Sequence, residues 1–210
     1  MNYQPNNYSP NTQFSIFPPA VKHLLIVNGL FFVGLNTPII AELLFRFGAL
    51  WPLESGLFRP WQLVSYMFLH AGFAHIIFNL FALWMFGQAI ENYWGTRRFT
   101  VYYFLTGIGA AVLHMFIGGG GAPTVGASGA VYGILLAFGM MFPDRPIMLL
   151  FPPIPMKAKY FVAVFGVIEF ISGITRTDSG VAHFAHLGGM LVGYILIKLW
   201  RLRGEGQYYA

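Results

Sequence analysis

Ser128 stands in the segment Gly126-Ala127-Ser128-Gly129-Ala130-Val131-Tyr132-Gly133, and His186 in Ala185-His186-Leu187-Gly188-Gly189. A hydroxyl and an imidazole brought within reach of each other can do acyl-transfer chemistry, because the imidazole takes the hydroxyl proton while the oxygen attacks a carbonyl carbon. A second polar pair, His75 and Asn79, is four residues apart, a spacing that stacks both side chains on one face of a helix. The chain has no cysteine, which excludes thiolate nucleophiles, disulfides and Cys-ligated zinc.

The elements that must position these groups are apolar. Of the 210 residues 57% are hydrophobic and 9% charged, where a soluble domain is about one-quarter charged. Runs bounded by Gly, Pro and charge predict an all-α membrane protein with six spanning helices, over about 22–45, 70–91, 98–117, 128–143, 158–173 and 182–201. Residues 1–19 read as a disordered cytoplasmic tail, 20–203 as the membrane domain and 204–210 as a short cytoplasmic tail. The segment from Phe47 to Leu69, with Trp51, Trp61 and Tyr66, reads as a structured loop at the outer interface. With an inside N-terminus, Lys22, Arg97, Arg98, Arg145, Lys157, Lys159, Lys198, Arg201 and Arg203 lie on one side, against Arg46, Arg59 and Arg176 on the other. The excess puts both termini in the cytoplasm. The basic residues form no run, so the net charge of +5 does not point to nucleic acid.

Depth brings the polar residues together. Counted from Pro143 at the inner boundary, Ser128 rises about 22 Å at about 1.5 Å per residue. His186 counted from Arg201, and His75 from Glu91, rise by nearly the same amount. Polar side chains at that depth face a bundle interior or a wet cavity, and the Gly118–Pro123 stretch before Ser128 is non-helical backbone that must line such a cavity. The pocket is expected to open to the outer side. Gly129 with Gly133, and Gly189 with Gly193, make GxxxG faces that allow close helix approach and turn His186 toward the helix of Ser128. Tyr132, one turn below Ser128, is positioned to stack on the imidazole. No Asp or Glu reads as suitably placed to be a third catalytic member, leaving a Ser–His dyad.

These segments resemble the rhomboid family of six-helix intramembrane serine proteases. The Gly126–Gly133 segment is similar to its GxSGxxxG-type nucleophile motif, and Ala185-His186-Leu187-Gly188-Gly189 with Gly193 to its histidine helix. His75 to Asn79, preceded by Phe68-Leu69-His70, resembles its HxxxN motif, and Phe58-Arg59-Pro60-Trp61-Gln62-Leu63 the end of its membrane-embedded first loop. The resemblance implies a rhomboid-like bundle that hydrolyses peptide bonds in or near transmembrane segments of protein substrates, with Ser128 as nucleophile, His186 as base, and oxyanion donors from His75, Asn79 and the Ser128 backbone. It implies no metal or other cofactor, a plasma (inner) membrane location, and a fifth helix that gates the site. Two rival readings exist: an inactive rhomboid-like protein that binds membrane clients, and a metal-dependent enzyme or transporter using His70, His75, His114, His183 and His186. Oligomeric state and cleavage site are not written in the motifs.

Overall fold

Apolar runs that cannot satisfy their backbone in lipid must do so internally, and helices are the simplest way. The computed structural model describes residues 14–117, 121–149, 153–175 and 181–202. Its helices are α1 (Pro19–Leu35), α2 (Pro38–Gly48), α3 (Gln62–Ser65), α4 (Phe73–Trp94), α5 (Thr96–Ile117), α6 (Ser128–Met141), α7 (Ala158–Thr175) and α8 (His183–Leu202). Two three-residue strands, β1 (Pro146–Met148) and β2 (Pro155–Lys157), form an antiparallel hairpin between α6 and α7, so the all-α expectation needs this small correction. The helices α4, α5 and α7 are long and apolar enough to cross a membrane.

The first expected helix, 22–45, is in fact two. Between α1 and α2 the axis turns by 119° at Asn36-Thr37-Pro38, where proline lacks the N–H needed to continue the helical ladder. None of the α2 residues is buried, so α2 does not belong to the packed core. The start of α1 is held by α4: Glu91 accepts the N–H groups of Ala20 and Val21, each at 2.8 Å. A carboxylate there satisfies free donors and complements the helix dipole. Upstream, Ser15 exchanges two hydrogen bonds with Asn92 (2.9 and 2.8 Å), which docks the last residues of the supposed tail. Residues 1–13 and 203–210, which hold the remainder of both expected tails and Arg203, lie outside the described residues, as does Arg176.

The centre is α8, which packs most extensively on α5 and α6. Glycine permits this closeness. A Cβ on Gly189 would run into the Gly129 carbonyl, one on Gly193 into Tyr102, and one on Gly133 would lie 2.7 Å from Thr106 Cβ. Gly129, Gly133 and Gly193 thus face α5, and the two stripes meet each other only where Gly189 lies on Gly129. α7 is the peripheral helix: 22% of its span is buried, against 39% for α4.

The first loop is built around a buried amide. Gln62 Oε1 accepts from the N–H groups of Trp51 (3.3 Å) and Arg59 (3.1 Å), and its Nε2 donates to the Leu57 carbonyl at 3.2 Å. Trp61 is exposed, as expected at an interface. Tyr66 corrects the expectation: it is fully buried, with its O–H on the Gly107 carbonyl at 2.8 Å, a core side chain whose one polar atom is satisfied.

Candidate active site

The loop preceding α6 is stitched to the first loop. Leu50 and Thr124 exchange backbone hydrogen bonds at 2.9 Å, and the Gly126 N–H donates to the Tyr66 carbonyl at 2.9 Å. Gly126 has φ of +131°, a conformation strained for any other residue. A Cβ there would also lie 2.8 Å from His75 Cε1 and Nε2. The turn thereby delivers Ser128 as the first residue of α6.

Across from it, His186 Nε2 lies 2.7 Å from Ser128 Oγ, a hydrogen-bonding distance suited to proton transfer. The Tyr132 ring stacks on the imidazole with centroids 4.3 Å apart and planes 8° from parallel. The hydroxyl, the imidazole and the stacking ring anticipated from spacing are therefore brought together.

His75 presents a definite edge to the Gly126 turn. Its Nδ1 accepts the Ala71 N–H at 3.3 Å, so its proton belongs on Nε2, the atom facing the Gly126 turn. Asn79 is buried and donates from Nδ2 to the His75 carbonyl at 2.8 Å, sharing the His75 face as its spacing required. His70 packs edge-on against His75 at 5.0 Å, and His114 pairs with Thr124 Oγ1 at 2.8 Å. Of the five histidines of the rival metal reading, His70, His75 and His114 thus stand outside the cluster of possible ligands that includes His183 and His186.

One group entered the reasoning from sequence only as a candidate for gating, and not as a partner of the imidazole. Glu169 of α7 is buried and reaches three side chains at once. It accepts a hydrogen bond from the Tyr132 O–H through Oε1, while its Oε2 lies 2.6 Å from His183 Nδ1 and 2.9 Å from His186 Nδ1. The His186 contact is bent: the distance is short, but the ring N–H has no well-aimed acceptor among the described residues. The conclusion that no acid stands near the imidazole is therefore overturned. Its one signal was an ionisable residue inside an apolar helix. Counting along α7 placed it near the outer end, and nothing in the sequence gives the rotation of α7 against α8.

The motif of a rhomboid domain matches residues 58–203, a span from the first loop to the end of α8. The chain belongs to the rhomboid family. This rhomboid is 32% identical over 153 residues to "Rhomboid protease GluP" of Bacillus subtilis (strain 168), covering 70% of this chain and 27% of that protein. It is 31% identical over 152 residues to "RHOMBOID-like protein 1" of Arabidopsis thaliana, covering 71% and 36%. With "Putative rhomboid protease YdcA" of Bacillus subtilis (strain 168) the identity is 28% over 148 residues, covering 70% and 71%. The rhomboid therefore spans a quarter to a third of the first two relatives and most of the third.

Proposed function

We propose that this chain is an intramembrane serine endopeptidase whose Ser128 attacks peptide bonds in or near transmembrane segments of other proteins. The observation that carries this reading is the 2.7 Å contact between Ser128 Oγ and His186 Nε2, between two motifs of a family with named proteases among its members.

In the proposed reaction His186 Nε2 takes the Ser128 proton as Oγ bonds to the carbonyl carbon. The oxyanion meets the Ser128 N–H at the start of α6, the His75 Nε2–H and the Asn79 amide. His186 then returns the proton to the leaving amine, and water releases the acyl group from Ser128. Tyr132 and Glu169 act through His186, holding its plane and favouring the tautomer with the proton on Nδ1. Neutral imidazole is required for the first proton transfer.

The wider setting is also proposed. Six spans are reached if the bent α1–α2 pair, the 14-residue α6 and α8 all count as crossings, with α6 falling short of the bilayer as part of a water-filled hollow. The charge asymmetry supports cytoplasmic termini and a site opening to the outer side of a plasma membrane. A helix hides its carbonyls, so favoured substrates carry helix-breaking residues near the cut.

The test is cleavage of a membrane-tethered transmembrane reporter by purified protein, compared with Ser128→Ala and with chelator. The reading requires loss in the variant and persistence with chelator. Equal cleavage by both proteins would remove Ser128 from the chemistry and with it the proposal.

A further inference from the structure

Glu169, His183 and His186 offer a carboxylate oxygen and two ring nitrogens that all lie within 4.8 Å of one another, the one such cluster of three among the described residues. We propose that these three side chains form a binding site for a divalent transition metal, of the class Zn2+ represents, through which the ion inhibits the protease by occupying the rear nitrogen of its general base. The inhibition rests on the proteolytic reading; the binding does not.

The donor set fits that class of ion. Zn2+ takes imidazole and carboxylate at about 2.0–2.2 Å, often with three protein ligands and one open position. Tetrahedral bonds of that length separate ligand atoms by about 3.4 Å. Glu169 Oε2 now sits 2.6 and 2.9 Å from the two Nδ1 atoms, so movements of under about one ångström, within reach of side-chain rotation, would admit the ion. Tyr132 holds the other carboxylate oxygen and so aims Oε2 at the histidines, as outer-shell partners of metal ligands do. All three ligand side chains are largely enclosed. This differs from chance clustering of exposed acids.

The chemical consequence follows from the tautomer. A neutral imidazole that binds metal through Nδ1 carries its proton on Nε2, the nitrogen facing Ser128 Oγ. That nitrogen then has no lone pair for the serine proton. The bound ion also ties Glu169 of α7 to His183 and His186 of α8, fastening the peripheral helix against the centre. Both effects stop turnover while leaving Ser128 chemically intact, so the metal is an inhibitor and the free enzyme needs none.

Equilibrium dialysis of Ser128→Ala protein against Zn2+ is expected to give one ion per chain in the low-micromolar range or tighter, with a rise in Tm. Adding His183→Ala or Glu169→Gln to that background should abolish both. In the active protein Zn2+ should inhibit reporter cleavage reversibly with chelator. The concentration for half-inhibition should rise about tenfold or more in His183→Ala, each variant being scored against its own metal-free rate. Absence of stoichiometric binding, or inhibition that is unchanged in both variants, overturns the proposal. Dialysis decides the site even for protein that cleaves nothing, which keeps this failure apart from failure of the proteolytic reading.

Discussion

In the proposed reaction His186 stands between two partners with different demands: a hydroxyl that must lose a proton at Nε2 and a carboxylate that favours one at Nδ1. In a fully aligned triad, changing the carboxylate to an amide costs about 10⁴ in kcat. The bent contact here transmits less. Glu169→Gln is expected to lower kcat by about 10- to 1000-fold with KM unchanged, and Glu169→Asp to recover part of the loss. Steady-state kinetics on one reporter separates this from a structural role, in which KM and Tm would move as well. Asn79→Ala removes a proposed oxyanion donor, a change worth about 2.7–4 kcal/mol of barrier where it has been isolated. Turnover should fall without vanishing, and unchanged kcat would take Asn79 out of the site. Ser128, His186, His75, Asn79 and Tyr132 were legible as a group because helical spacing and depth are one-dimensional quantities. Glu169 was not, since its role depends on how α7 is rotated.

Among the elements, α8 is held by contacts that leave no room for a methyl group. The backbone of Gly129 fills the space beside Gly189, three residues past His186. Gly189→Ala should cost about 1–3 kcal/mol by overpacking and displace His186 from Ser128. A lowered Tm together with lost cleavage is the expected pair of results. Gly29→Ala is the matched control, because a Cβ there meets nothing within 4 Å. The glycine spacing announced close packing correctly. Which neighbour each glycine meets was decided by α5, whose Tyr102, Thr106 and Ala110 fill the positions beside three of them. In the same way Tyr66 looked interfacial because aromatic residues favour membrane boundaries, yet the fold turns it inward to bond with Gly107.

Across the whole molecule, α7 is less buried than α4 or α5, and this peripheral helix supplies Glu169 beside the proposed cavity. If substrate reaches Ser128 past α7, fastening its outer end to α8 should block cleavage. Gly173 and His183 provide the place, since a Cβ on Gly173 would lie 3.4 Å from His183 Cβ, near the usual Cβ separation of about 3.5–4.5 Å for a disulfide. The chain contains no cysteine, so Gly173→Cys with His183→Cys forms a single defined cross-link. The oxidised variant should lose cleavage and the same sample should regain it on reduction. Equal rates in the two redox states would dissociate α7 from substrate admission.

What the sequence determined by itself was the chemistry on offer and its depth: a serine, a histidine and their polar companions within apolar helices, in motifs of one family. Helical rise and the cost of burying polar groups make those features local and countable. Only the tertiary structure decided that α1 and α2 part at Pro38, that α5 lies against the glycine faces, and that Glu169 comes to rest behind the base. Each depends on the rotation and crossing of helices distant in the chain, which side-chain packing sets and periodicity leaves undetermined.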